Sequence, residues 1–545
     1  MAAFYTKFIH ETFDAAGQIT QWSYDYAPNF NYAYDVIDAL ARQIPDKPAI
    51  LWENDRQERA CLTYGDLSRQ SSQAANLLRQ RGMKKGDVLL AAVRTHWSYW
   101  VAALAAHKLG VILCPVYYRL TAQDLAYRMK TARAGGVLTC LEGPAAANVL
   151  AAAEEAGVPL RFALGEEPGF ENWFTALDGQ PETIDRADTR SDEPILLYFT
   201  SGTTGKPKGV LHSHTYTLGC HWGARYMQDI GPASRHFATG DTGWEVTSGT
   251  KFYGQLLLEC TLLVYDYDRF PPEKVLDFLA RERATGIMAQ PTVYRMFTQV
   301  GMDRYDLSSV TNCGVGGERL LPDLTAAVKA QTGQRLYEGY AQSEAGLIAS
   351  ASKALGWKEG SVGKILPKYH VEIRREDGAF AGPGEEGEIV LVADGGRRPL
   401  GLMMGYWEDE EANRRLWDGD IFHTGDLATR DDEGFLYYLG RYDGIIKTKG
   451  YRVSPVEIED VLSLHPAVEE CMAVGEPDPE LGQRVKVYVK AAPGYVPGPA
   501  LEQTLLAFHN DRCVGFKKIR ALAFVDHLAR NQNGKLIRDQ FAQPR

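Results

Sequence analysis

Between Tyr198 and Gly209 the chain reads YFTSGTTGKPKG: three glycines, four serine or threonine hydroxyls and two lysines, delivered by the apolar run Ile195–Phe199. Glycine lacks the Cβ that keeps a backbone N–H away from an anion, and hydroxyl and ammonium groups add donors. The segment therefore has the composition of a phosphate cradle. It is not a Walker loop, because five positions beyond Gly202 stands Pro207 and the Lys208-Gly209 order does not fit GxxxxGK[ST]. A second glycine cluster, Gly314-Val315-Gly316-Gly317-Glu318, reads by itself as a turn at a strand end. Four further turn-like segments add carboxylate, guanidinium and ammonium groups: Tyr340-Ala341-Gln342-Ser343-Glu344, Thr424-Gly425-Asp426, Gly440-Arg441-Tyr442-Asp443-Gly444 and Asn531-Gln532-Asn533-Gly534-Lys535. His212 and His214 beside the glycine loop read as packed strand histidines rather than as catalytic groups.

The elements that must position these groups are legible as alternating patterns. An amphipathic run through Leu77 and Leu78 is followed by the apolar Val88–Val93, a helical Tyr99–Leu109 and then Val111–Pro115, which predicts an α/β sheet covered by helices. Near Gly387 the pattern changes to short strands, GEIVLV and GFLYYLG, and beyond Gly444 to a compact α+β arrangement. A chain of 545 residues exceeds what one hydrophobic core organises. The expected division is an N-terminal domain over 1–440, large and multi-sheet with flanking helices and a small β-rich subdomain, and a small α+β C-terminal domain over 441–545. Ser454-Pro455-Val456-Glu457 predicts a capping box with proline at the first helical position.

Charge and cysteine usage narrow the function classes. With 59 basic against 70 acidic residues the formal net charge is −11, and no basic block is present, which argues against a nucleic-acid partner. A bound polyanion must then be held by locally placed Lys, Arg and backbone N–H groups. The eight cysteines are scattered without a CxxC pair or zinc spacing, so neither a disulfide framework nor a structural metal is expected, and a reducing cytoplasm fits. Glu11 and Asp14 stand where a signal peptide would be apolar, and no stretch approaches the roughly 18 apolar residues of a membrane span. A homo-oligomer is compatible with all of this.

The Thr200–Gly209 segment resembles the signature loop of the adenylate-forming superfamily, which comprises acyl-CoA synthetases, luciferases and peptide-synthetase adenylation domains. Further segments follow in the order that family requires, from about Thr63 to the end. The resemblance implies that Thr200, Ser201, Gly202, Thr203, Thr204, Gly205 and Lys208 hold the phosphates of ATP, with Gly316, Gly317, Glu318, Tyr340, Ala341 and Gln342 around the nucleotide. Ser343 would meet the α-phosphate, and Glu344 would help to hold Mg2+, a hard cation that takes carboxylate oxygen. Asp426 would accept both ribose hydroxyls, a sound use of an acceptor-only group, with Arg441 beside it. Asp443 would be the hinge on which a mobile C-terminal domain turns between half-reactions. Lys449, Gly450, Tyr451 and Arg452 would receive coenzyme A, Gly450 leaving room for the pantetheine arm. Lys535 would neutralise charge that builds at phosphorus during adenylation.

The implied activity is an AMP-forming ligation: a carboxylate attacks the α-phosphorus of Mg·ATP, pyrophosphate leaves, and the thiol of coenzyme A then takes the acyl group. Within the superfamily ATGDTGWEVTSG at 238–249, QPTVYRMF at 290–297 and TNCGVGGERLLP at 311–322 are most similar to medium-chain acyl-CoA synthetases, then to acetate enzymes. Where acetate enzymes carry a pocket-shortening tryptophan, this chain has Ala341, so acids longer than acetate are expected: medium-chain, branched or aromatic. Trp244 and Ala341 are the candidate acyl-pocket residues. Ser343 replaces the usual Thr, His423 stands where Arg often precedes Thr-Gly-Asp, and Ala529 occupies a usual proline position; none removes a reacting group. Three rivals share most of these features: a free-standing adenylation enzyme that delivers to a carrier protein, an oxygen-using luciferase-type enzyme and a non-catalytic nucleotide or acyl sensor.

Overall fold

Val88–Ala92 is apolar and buried throughout its length, as a strand covered on both faces must be. In the computed structural model it lies at the middle of an eight-stranded sheet. The structure describes residues 3–15, 19–200, 206–318, 320–395, 398–448, 451–513, 515–530, 536, 538 and 541. They form two compact units, Met1–Tyr369 with Ala393–Arg415, and His370–Val392 with Leu416–Arg545.

The first unit carries two large sheets. In the first, the order is Gly405–Tyr406, Lys208–Ser213, Pro194–Thr200, Ile112–Pro115, Val88–Ala92, Ala134–Thr139, Leu160–Ala163 and Glu171–Asn172. The strands from Pro194–Thr200 onward run parallel, while Lys208–Ser213 is antiparallel to both of its neighbours. The second sheet has nine strands with a parallel centre, Leu336–Gln342, Asn312–Val315, Gly286–Ala289, Arg235–Ala238, Thr261–Asp266 and Pro48–Asn54. Helices cover them as expected: Tyr64–Gln80, which contains Leu77 and Leu78, starts on a reciprocal Thr63/Asp66 capping box. Ser98–Leu109 is buried on all sides and ends at Gly110, whose φ of 71° closes the helix in the left-handed conformation. The α/β class with several sheets is thus the observed one.

The second unit holds an antiparallel sheet of His370–Arg374, Gly387–Val392, Ile421–Arg430 and Trp417–Asp418, with Leu436–Arg441 added along Ile421–Arg430. A separate sheet, built around Gly482–Ala491 and Val468–Asp478, packs on the helix Pro455–Ser463 through Ile446, Val453, Ile458, Leu462, Val485 and Val487. Position 440/441 falls inside this unit, because the hydroxyl of Ser454 donates to the Leu439 carbonyl and so joins the helix start to the preceding strand. The helix begins at Pro455 as the pattern predicts, with Glu457 N–H donating to Ser454 Oγ at 3.3 Å. Only that half of the box forms: the Glu457 carboxylate pairs instead with Lys517 Nζ at 2.9 Å.

Candidate active site

In the first unit the glycine-rich segment joins two paired strands. Pro194–Thr200 and Lys208–Ser213 are antiparallel, with Thr200 opposite Lys208 at the mouth of the connection. Gly209 is required there: an added Cβ would lie 2.9 Å from Leu197 Cδ1 and 3.1 Å from Trp407 Cβ. Its carbonyl accepts from the Trp407 N–H at 2.7 Å, which ties the loop base to the edge strand Gly405–Tyr406. Lys208 Nζ stands 5.1 Å from the Tyr406 ring centroid and 3.6 Å from Asp409 Oδ2, and Lys206 Nζ 5.7 Å from the Tyr127 ring. Ser201, Gly202, Thr203, Thr204 and Gly205 lie outside the described residues, as do Lys449, Gly450 and Lys535.

Ser343-Glu344-Ala345 forms the turn between the antiparallel strands Leu336–Gln342 and Gly346–Ser350. Three successive carbonyls of this turn are each held by a distant group. The Ser343 carbonyl meets His212 Nε2 at 2.8 Å, the Glu344 carbonyl takes the Met403 N–H at 2.7 Å, and the Ala345 carbonyl takes the Tyr369 hydroxyl at 2.7 Å. Since a carbonyl only accepts, the His212 proton is on Nε2. Burial pushes this imidazole down to about 3, so it is neutral. The same turn leaves the Ser343 hydroxyl and Glu344 Oε2 without a partner among the described residues. Glu344 Oε1 accepts the Tyr406 hydroxyl at 2.8 Å. One oriented carboxylate with an oxygen to spare fits a divalent cation whose other ligands come from nucleotide and water.

Around this turn, Tyr340 is buried, whereas Ala341 is exposed opposite Leu347. Gly316 and Gly317 follow the strand Asn312–Val315, Gly317 at φ 86°. Glu318 Oε2 accepts the Thr292 N–H at 3.2 Å and its hydroxyl at 2.5 Å, so this carboxylate serves the start of the helix Pro291–Val300. Nucleotide contacts from this segment would then fall to the glycine backbone. Trp244 immediately precedes the helix Glu245–Lys251, its ring 6.3 Å from that of Tyr117. The neighbouring Gly243 admits no side chain, because a Cβ would lie 2.3 Å from Tyr117 N.

In the second unit Asp426 and Arg441 are cross-strand partners, so two motifs separated in sequence share one register position. Arg441 Nη1 is 3.7 Å from Asp426 Oδ1 and donates to the Thr424 carbonyl at 3.2 Å. Tyr438 Oη donates to Asp426 Oδ1 at 3.1 Å; burial first, and then the Asp426 charge, push this phenol far above its usual value and keep it a donor. Gly425, at φ 71°, passes close to the guanidinium: an added Cβ would be 3.1 Å from Arg441 Nη2. Its N–H donates to Glu388 Oε1 at 2.9 Å, and Glu388 Oε2 pairs with His423 Nδ1 at 2.8 Å. Asp443 lies in the single turn Tyr442–Gly444, and Tyr451 is exposed at the start of the strand Tyr451–Val453, opposite Thr448; Arg452 is the next residue of that strand.

His212, Tyr369, Tyr406 and Tyr438 were absent from the sequence-derived site. His212 is packed, as its sequence context predicts, but nothing local marks it as the residue that holds Ser343. Only Tyr438 had a usable signal, two residues before Gly440 on a strand facing the Thr-Gly-Asp segment.

Comparison with known proteins identifies the family and the fold. The chain matches the family model described as AMP-binding enzyme over residues 37–407, and that of the AMP-binding enzyme C-terminal domain over 457–535. It is 33% identical over 521 residues to the mitochondrial acyl-coenzyme A synthetase ACSM5 of Mus musculus, covering 94% of this chain and 90% of the relative. Its fold is similar to that of the anthranilate CoA ligase AuaEII in complex with anthranoyl-AMP (TM-score 0.84, 23% identity, 95% and 97% of the two chains). It is also similar to ATP-bound MatB from Rhodopseudomonas palustris (TM-score 0.81, 25% identity, 94% and 98% of the two chains). Among the described residues no helix is long and apolar enough to cross a membrane.

Proposed function

Because this chain belongs to the AMP-binding enzyme family, we propose that it is an AMP-forming acid–CoA ligase acting on carboxylic acids longer than acetate. The observation that carries the reading is the clamped Ser343-Glu344-Ala345 turn. Its backbone is fixed by three hydrogen bonds while the Ser343 hydroxyl and one Glu344 oxygen stay available. Preorganised donors and charges of this kind act at developing charge without reorganising at the moment of reaction.

In the proposed mechanism the Ser343 hydroxyl donates to an α-phosphate oxygen. Glu344, held by Tyr406, would be the residue to hold Mg2+, which would supply neutralisation of phosphate charge. The glycine loop from Thr200 through Ser201, Gly202, Thr203, Thr204 and Gly205 to Lys208 cradles the leaving pyrophosphate. Asp426, oriented by Tyr438 and Arg441, accepts from the ribose hydroxyls. The acid's carboxylate displaces pyrophosphate to give an acyl-adenylate, with Lys535 offsetting the charge that builds at phosphorus. The thiol of coenzyme A loses its proton to solvent and its sulfur attacks the acyl carbon, the bond from that carbon to the phosphate oxygen breaks as AMP departs, and no bond to the protein forms. Tyr451, Lys449, Gly450 and Arg452 are the proposed contacts for coenzyme A, and Asp443 is the proposed hinge. Ala341, small and exposed where acetate enzymes carry a tryptophan, supports acids larger than acetate, including aromatic ones. The cytoplasmic setting is proposed from the sequence alone, whose eight cysteines are scattered without a CxxC pair.

The test is pyrophosphate release from Mg·ATP over a panel of aliphatic, branched and aromatic acids, with and without coenzyme A, with acyl-CoA measured in parallel. Matched release and acyl-CoA is the expected result. Release without thioester points to a carrier protein or amine as acceptor, and no release with any acid overturns the ligase reading.

A further inference from the structure

The residue after Trp244 is Glu245, half-buried at the start of the helix Glu245–Lys251. Its Oε1 accepts the Tyr216 hydroxyl, and its Oε2 has no partner among the described residues. Lys368 is buried nearby, its Nζ 4.4 Å from the Tyr369 ring centroid and 3.3 Å from the Ala345 carbonyl. That carbonyl already takes the Tyr369 hydroxyl at 2.7 Å, so the clamp on the turn does not need the ammonium. Burial pushes Glu245 up to about 7 and Lys368 down to about 8, each eased by the charge of the other, yet the two form no ion pair among the described residues. A buried cation and a half-buried carboxylate that stop short of contact leave room for a third group to complete them.

The position of that third group is marked by glycine. An atom at the Cβ position of Gly346 would lie 3.7 Å from Lys368 Nζ and 3.9 Å from Glu245 Oε1, so one small group beside the Ser343–Glu344 turn reaches both.

We infer that Glu245 and Lys368 form a polar end to the acyl pocket and select acids whose tail carries a hydroxyl group. The inference rests on the ligase reading. A hydroxyl oxygen accepts from Lys368 while its proton is donated to the Glu245 carboxylate. A second carboxylate on the acid would attract Lys368 but be repelled by Glu245, and an ammonium would meet the reverse. A wholly apolar tail would leave both charges unanswered.

Matched acids test this: benzoate against its 2-, 3- and 4-hydroxy derivatives, 3-phenylpropanoate against its ring-hydroxylated forms, and hexanoate against 6-hydroxyhexanoate. The readout is kcat/KM for acyl-CoA, with pyrophosphate followed in parallel. Wild type is expected to prefer at least one hydroxylated acid over its parent by at least about tenfold, as sites built to bond a substrate hydroxyl do. Lys368→Met and Glu245→Leu are each expected to reduce that ratio to within about threefold, since either loses one of the two hydrogen bonds. Because the ratio is taken within one preparation, it does not depend on how much of a variant folds; if neither variant folds, the wild-type preference alone decides. Equal turnover of every pair overturns the hydroxyl subsite while leaving the ligase reading in place. A preference that survives both substitutions also overturns it, and the absence of pyrophosphate with any acid overturns both.

Discussion

Replacing His212 by leucine isolates the hydrogen bond on which the catalytic turn rests. The imidazole is wholly buried, its Nε2 2.8 Å from the Ser343 carbonyl and its ring tilted by 32° against that of Tyr216 at 4.0 Å between centroids. Leucine keeps most of the packing but removes the donor, and a buried acceptor left without one costs about 1–3 kcal/mol. If that cost is met by the turn moving rather than by the unit unfolding, fewer molecules present the Ser343 hydroxyl and Glu344 correctly. The kcat for pyrophosphate release should then fall by about 5- to 150-fold, the equivalent of the same energy. His212→Gln, which restores an N–H donor near the position of Nε2, should recover part of the loss. Because burial pushes His212 down to about 3, the ratio of wild-type to variant rate should be flat between about pH 6 and pH 9. The assay is single-turnover pyrophosphate release beside a thermal melt of each variant. A kcat within about twofold of wild type for leucine would refute the positioning argument, because one buried hydrogen bond is worth more than that. So would activity that merely tracks the folded fraction, with glutamine no better than leucine.

Lys535→Ala should slow adenylation by at least about a hundredfold, the usual cost of one preorganised donor, and spare thioester formation from supplied acyl-adenylate; an equal loss in both steps defeats the assignment. Tyr438→Phe removes the 3.1 Å donor to Asp426 and should raise the KM for ATP about tenfold, hydrogen bonds to charged groups being worth about 1.5–3 kcal/mol, without altering the KM for the acid. His423 is raised above 6.5, first by its hydrogen bond to Glu388, so its stabilising contribution is complete below 6.5 and is lost as pH rises through the higher folded value. The melting-temperature deficit of His423→Asn should therefore be larger at about pH 5.5 than at about pH 9; equal deficits contradict the linkage.

Runs such as Val88–Ala92 and Ser98–Leu109 could be read directly, because an apolar run or period is a property of neighbouring residues. The helix start at Pro455 was equally local, though which partner the Glu457 carboxylate would choose was not: Lys517 lies on another element and outcompetes the local cap. The division into compact units also depended on pairing, since Leu436–Arg441 is held along Ile421–Arg430 and to Ser454 at the same time.

By itself the sequence determined the motif-bearing turns, the residue types able to hold phosphate, ribose and cation, and the glycines that let backbone approach them. Those are matters of composition and backbone freedom over a few residues. The tertiary structure decided which groups hold the motifs still. His212 reaches Ser343 across 131 residues and Tyr406 reaches Glu344 across 62, while Asp426 meets Arg441 through strand register. A buried carbonyl takes whatever donor folding brings within about 3 Å of it, and no local pattern encodes which donor that will be.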